Sequence, residues 1–523
     1  MTVKKFTSCP GRLGAARWLI LSLLVLACTA PALSALVEES HQHAFSTHWQ
    51  STSSPRAARL PSTNPTRSFW THSSPDVNPL AREGSEGALT TDADICIIGS
   101  GITGVGIAYH LSEEISGRQS VSQSPLRVVI LEARDFCSGA TGRNGGHLTP
   151  AAYAEFVHRE REFGRDEAIR SYALEQHTTT LLVDIIERHE WVDDVDLVEG
   201  GHLSLLLTEQ DERESFADLE AAKQAGMSLE GVRVLSKEEV QSTFGTPYPA
   251  IWFPGHNVWP LKLVTKLFQH ANQSIGREFD LKLHTHTPVT AIEKTSSAGG
   301  PSDRSYLLST PRGSVACTRV VHATNAYASH LLPFMAGPEG IVPTRGQILA
   351  TRASVGTELI KTSSWEGGDS YWFPRPVKDP DEKPLIIIGG QRSVSKRSLE
   401  RYIDDDSTLN ADVGEALRNF LPSVFEGMFK FGREPEMEWT GIMGYTSMGD
   451  PFVGPISDLF DANDEYRGQY IAAGYTGHGM PRAFACAEVI AQMIVADISD
   501  ALWSAPEWLP TRYLTGSPER HRY

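Results

Sequence analysis

One stretch limits this chain more than any other: a short apolar strand that runs straight into a glycine turn and then a helix. Asp94-Ile95-Cys96-Ile97-Ile98 is β-branched and apolar, as expected of a parallel strand buried on both faces. It leads into Gly99-Ser100-Gly101-Ile102-Thr103-Gly104, and Val105 to Leu111 continue as a helix of small residues. Each glycine has a task. Gly99 permits the tight turn, Gly101 lets backbone approach a pyrophosphate, and Gly104 lets helix and strand pack closely. The N–H groups at the helix start, from Ile102 and Thr103 onward, then face the phosphates. A second strand, Leu126 to Leu131, ends in Glu132 and Ala133, where a carboxylate accepts ribose hydroxyls. Strand, glycines, helix, strand and carboxylate in this order predict a Rossmann-type α/β unit that binds a dinucleotide.

Those residues alone do not separate FAD from NAD; the stretch that follows them does. Cys137 to His147 is rich in glycine, with Thr141, Arg143, Asn144, Gly145 and Gly146 offering backbone N–H groups and short donors to a long ligand. Here the chain resembles the FAD-dependent oxidoreductases of the D-amino-acid oxidase and sarcosine oxidase superfamily. Its Ala140-Thr141-Gly142-Arg143-Asn144-Gly145-Gly146-His147-Leu148 run is most similar to the γ-glutamylputrescine oxidase-like branch. Three further segments carry the resemblance. Thr287 to Ile292 resembles the strand whose valine backbone, here Val289, holds the adenine end. Val320 to Tyr327, with Ala323 and Thr324, resembles the turn beneath the cofactor. Tyr470 to Met480, with Gly474, Gly477, His478, Gly479 and Met480, resembles the segment at the flavin pyrimidine edge. It precedes a helix expected over Pro481 to Ala496.

The resemblance implies an α/β (α+β) architecture with two interleaved domains. A Rossmann-type FAD-binding domain is expected from 89–155, 245–330 and 440–500. A mixed-sheet substrate domain is expected from 156–244 and 331–439, and 501–523 is a C-terminal tail. Within the substrate domain the pattern predicts one long helix from Arg159 to Trp191, and a Ser236/Glu239 capping box opens a short helix ending near Gly245. Strands are expected at Phe373-Pro374 and over Pro384 to Gly390.

It also implies a chemistry: hydride transfer to flavin N5 from a carbon bearing an amine, with dioxygen as acceptor. His478, Arg345, Tyr371 and His147 are the substrate-side candidates. Arg345 reads equally as half of a structural ion pair, Tyr371 as strand core, and His147 as an ordinary hydrogen-bonded histidine. Sarcosine oxidases carry a lysine after this glycine segment, where the present chain has Pro481 and Arg482, so a substrate carboxylate loses that partner. Trp439 to Tyr445 contains no cysteine for a flavin tether, which predicts noncovalent FAD. Two other functions stay open, a tailoring oxidoreductase acting on a larger metabolite and a flavin-fold binding protein without turnover.

Charge and termini narrow the setting. With 64 acidic and 47 basic residues the net charge is −17, which argues against nucleic acid or anionic membrane as partner. Lys4, Lys5, Arg12 and Arg17 precede an apolar run from Trp18 to Ala30, which predicts a secretory signal peptide within 1–35, or a membrane anchor over 18–35. Residues 36–88 are expected to be a poorly ordered lead-in, with Phe69-Trp70 as a patch able to dock on the body. Cys96, Cys317 and Cys486 are expected as buried free thiols. His284 and His286 lack a third ligand, so no metal is expected. Asp404-Asp405-Asp406 reads as a solvated loop.

Overall fold

A computed structural model describes residues 56–116, 124–273, 278–295, 304–356, 364–377, 379, 381–395, 399–460, 464–518 and 520. The expected signal peptide or anchor lies outside them.

The strand Asp92–Ile98 forms as its composition demands. It pairs in parallel with Leu126–Leu131 on one side and Gly313–His322 on the other. Its side chains alternate between two cores. Ile95 and Ile97 pack toward the helices, while Cys96 and Ile98 pack with Val289, Tyr306 and Leu308 on the opposite face. A strand covered on both sides has no polar face, so the run is continuously apolar. Phe279–His284 extends this sheet on one edge, and Gln469–Ala473 joins it beside Gly313–His322. The helices Ile102–Ser116, Pro260–Gln273 and Met480–Ile498 lie against it.

The second sheet has eight strands, in the order Met437–Tyr445, Val342–Arg352, Leu385–Gly390, Ser370–Pro374, Ser364–Gly367, His202–Leu205, Ala250–Phe253 and Arg233–Leu235. Period-two alternation gives it two unlike faces. Leu349, Trp365, Trp372, Ile386 and Ile388 pack under the helix Ala411–Val424. Ile348, Phe373, Ile387 and Trp439 on the other face join the core of the first sheet. Ala250–Phe253 belongs to this second sheet, although 245–330 was expected in the first domain.

Several local expectations are corrected. The long helix over Arg159 to Trp191 is two helices, Phe156–Phe163 and Arg165–Arg188, broken at Gly164 with φ +82°. The Ser236/Glu239 capping box is present, and the helix ends at Gly245 with φ +77°. Cys96 and Cys317 are joined in a disulfide between neighbouring strands, while Cys137 and Cys486 are free and buried. Their Cα atoms lie 6.1 Å apart, within bonding reach.

Over its described part the lead-in is packed rather than disordered. Trp70 is fully buried against Trp259 and Phe373, and its Nε1 donates to Asn144 O at 2.6 Å. Ser68 Oγ donates to Gly142 O at 2.6 Å. A buried indole supplies the apolar area that the rest of this polar segment lacks. The acidic run is not solvated either. Asp406 is buried and paired with Arg134 at 2.9 Å, and Asp404 pairs with Arg59. The C-terminal tail also docks. Arg512 and Tyr513 are fully buried, and Thr515 N donates to Val453 O.

Candidate active site

The glycine turn has the geometry its sequence requires. Gly99 adopts φ +109°, and a Cβ on Gly104 would overlap the carbonyl oxygen of Gly99. A Cβ on Gly101 would meet only the Thr141 hydroxyl, at 3.0 Å, so its space opens toward the Thr141 loop. Ile102 N donates to Thr141 Oγ1 at 3.1 Å, which ties the helix start to that loop. Thr103 Oγ1 lies 3.1 Å from the Tyr475 hydroxyl.

Glu132 stands at the end of its strand and accepts from Ser100 N at 3.0 Å, Ser100 Oγ at 2.8 Å and Arg134 N at 2.9 Å. The segment leading to Val289 reaches the same end, because Thr287 N donates to Glu132 O and His286 N to Arg134 O. Beneath the turn, Ala323 N donates to Ile98 O. Thr324 Oγ1 is buried with no partner among the described residues. A cradle that a side chain would fill and an unmatched buried hydroxyl are what a bound dinucleotide would complete. The residues present therefore fit FAD; Glu132 and Ala133 would hold the ribose end, and Gly99, Gly101 and Ile102 would lie along the pyrophosphate.

Some predicted ligands do other work. The Arg143 guanidinium is buried and donates to Ser138 O, Thr66 O and Thr440 O, so it ties the lead-in to the 133–146 loop and to the second sheet rather than reaching a ligand. Asn144 Oδ1 accepts from Gly146 N at 2.7 Å, so its side chain shapes the loop. Arg345 is the structural half of its two readings. Its guanidinium pairs with Glu400 at 2.6 Å and donates to Thr408 Oγ1 at 2.7 Å. His284 bonds Thr90 and Gly84, whereas His286 meets Asp135.

The remaining candidates converge. A Cβ on Gly145 would overlap the Tyr371 ring, and one on Gly146 would press on Phe373. His147 stands edge-on to both rings, each centroid 5.4 Å away. Burial pushes its pKa down to about 3, so the imidazole is neutral, and burial pushes Tyr371 up to about 12. Gly474 and Gly477 take φ +88° and +82°. His478 N donates back to Tyr475 O, Arg482 N and Ala483 N donate to Gly479 O, and Pro481 has no N–H, so in the first turn of the helix Met480–Ile498 only the Met480 N–H lacks a backbone acceptor among the described residues. The His478 ring is half exposed, with Nε2 3.4 Å from Glu175 Oε2.

Arg482, beside Pro481, turns inward and pairs with Glu175 at 2.7 Å. Burial alone would raise the Glu175 pKa, but His478 and Arg482 outweigh it and hold the carboxylate ionised.

Sequence reading missed His202, Ser364, Glu366, Arg392 and Tyr445. His202 Nδ1 lies 2.8 Å from Ser364 Oγ, and Arg392 Nη2 donates to the Tyr445 hydroxyl at 2.7 Å. The available signal was polar residues at period two, His202 with Ser204 and Ser364 with Glu366, on strands otherwise suited to a core.

The DAO family profile, described as FAD dependent oxidoreductase, matches residues 94–493. A probable oxidoreductase OrdL of Rhizobium meliloti is 24% identical over 453 residues, covering 85% of this chain and 90% of its own length. The gamma-glutamylputrescine oxidoreductase of Escherichia coli is 23% identical over 426 residues, 79% of this chain and 87% of its own. Among solved structures, the glycine oxidase from Geobacillus kaustophilus superposes with a TM-score of 0.59 at 21% identity. It covers 81% of this chain and 99% of that one.

Proposed function

Because the chain belongs to the DAO family of FAD-dependent oxidoreductases, we propose that it oxidises the C–N bond of a small amine or amino-acid-like substrate, with dioxygen as electron acceptor. Flavin, when bound, would supply the hydride acceptor for this oxidation. The observation that carries the reading is the meeting of the Gly145-Gly146-His147 turn with Tyr371, beside the Gly477–Met480 segment. Two ring side chains and a polar strand face meeting beside the expected cofactor segments support a small polar substrate there.

The chain's own residues then have definite tasks. Tyr371 and Phe373 wall the site against water. His147 stays neutral through the physiological range and offers an uncharged ring nitrogen, Nε2, that has no partner among the described residues. The Met480 N–H, at the start of the helix Met480–Ile498, offers its positive end to an electron-rich group.

The test is a visible spectrum of the purified protein, taken without oxygen while amines and amino acids are added in turn. Bleaching of the flavin band by an amine, and one equivalent of hydrogen peroxide on readmitting air, is the expected result. A flavin band that only a larger metabolite bleaches would replace the small-amine reading with a tailoring role. The basic-then-apolar N-terminus supports routing through the secretory pathway, and the Cys96–Cys317 disulfide suits an oxidising compartment. N-terminal sequencing of the mature protein would show cleavage within 1–35.

A further inference from the structure

Glu366 lies on the inner face of the second sheet, and its place there follows from register. Ser204, Glu366, Tyr371 and Gly389 are Cα partners in one row across four strands, so their Cβ positions share a face. Tyr371 in that row packs on Gly145, so the row faces the cofactor turn. Glu366 is thus one strand spacing, roughly 4.8 Å, from the aromatic that walls the site.

A core sheet face is an unfavourable place for a carboxylate unless something compensates it. The Glu366 side chain nevertheless stays 45% exposed, so it borders open space on a covered face. His202 Nε2 lies 3.7 Å from Glu366 Oε1, beyond hydrogen-bond distance, while its Nδ1 lies 2.8 Å from Ser364 Oγ. No lysine or arginine pairs with Glu366 among the described residues. Burial alone would raise its pKa, but His202 and Ser204 outweigh that and bring it to about 2. It is a fixed negative charge and a poor base. The nearby His147 is neutral and does not cancel it. Arg392, beyond Tyr371, is engaged with Tyr445.

We propose that Glu366 holds a second, non-reacting ammonium group of the substrate, so that the preferred substrates are amines bearing a distal cationic nitrogen. The assignment rests on the amine-oxidising reading above. A weak base in this position does not deprotonate the reacting nitrogen. A fixed charge instead orients an extended cation, leaving its other end toward Tyr371 and the cofactor turn.

The experiment uses the full-chain holoenzyme and its Glu366→Gln and Glu366→Asp variants. Flavin reduction is followed without oxygen for α,ω-diaminoalkanes of three to six carbons and for n-alkylamines of matched length. Wild type is expected to favour the diamine by about tenfold or more in KM with a smaller change in kcat, the size expected for one charge-assisted hydrogen bond. Glu366→Gln brings that ratio toward one, and Glu366→Asp keeps most of it. Binding of tert-butylammonium, which has no C–H beside nitrogen and cannot be oxidised, is read from the flavin absorbance. It should weaken about tenfold or more in Glu366→Gln. Equal use of mono- and diamines by wild type and Glu366→Gln would overturn the assignment and leave amine oxidation standing. Failure of every amine to reduce flavin would remove the underlying reading; unchanged tert-butylammonium binding in Glu366→Gln would then dispose of the anchor separately.

Discussion

A methyl group on Gly104 would collide with the Gly99 carbonyl, and one on Gly99 would press on the Ala323 carbonyl at 2.7 Å. These residues are glycine because backbone occupies the space of a side chain. Glu132 is a different case, since its carboxylate is already held by Ser100 and Arg134 and is presented at the strand end. Glu132→Ala should weaken FAD binding by about 1.5–3 kcal/mol, the range for a hydrogen bond to a charged group. Titration of the apoprotein with FAD measures it, and an unchanged dissociation constant would show that the ribose is held elsewhere. His322 bears on stability rather than function. It is fully buried, its Nε2 lies 2.8 Å from Gln469 Oε1, and burial pulls its pKa from 6.5 down to about 4. The unfolded chain therefore takes up this proton first. Stability is full above pH 6.5 and falls between pH 6.5 and 4 by about 1.4 kcal/mol per unit from this residue. Denaturant unfolding of His322→Gln should show a shallower fall over that window than wild type.

Elements differ in how openly the sequence announces them. The strand–turn–helix at 92–116 is legible because every constraint on it is local. Ser236, Glu239 and Gly245 mark a helix for the same reason. The face shared by His202 and Ser364 was not legible, because those residues stand 162 positions apart and meet only through strand pairing. The break at Gly164 was missed because apolar periodicity continues through it on both sides. The polar lead-in was misjudged because composition averages hide a single anchor, Trp70. That anchor is testable. Trp70→Ala should cost about 3–5 kcal/mol as a large buried side chain. It should also release flavin more readily, since Trp70 and Ser68 hold the carbonyls of Asn144 and Gly142 in the cofactor loop. Thermal unfolding and the fraction of flavin retained on gel filtration report the two effects. A destabilised variant that keeps its flavin would separate the anchor from the loop.

At the scale of the molecule, two sheets enclose the site, and a few long-range ties hold them. Cys96–Cys317 closes a loop of 221 residues inside the first sheet. Chain-entropy reasoning puts the stabilisation from such a loop at about 5 kcal/mol. Thiol titration of the denatured, unreduced protein should find Cys137 and Cys486 free and gain two thiols, Cys96 and Cys317, after reduction; four free thiols in this set before reduction would refute the bond.

The tie among Thr66, Arg143, Asp406 and Thr440 works on a longer span. Its members come from early, middle and late parts of the chain, so during synthesis it has no counterpart until the ribosome has released residue 440. The cofactor loop waits, unsealed, through most of translation. Flavin acquisition is therefore expected late in biogenesis, and a nascent chain halted before Thr440 would lack this closure of the loop.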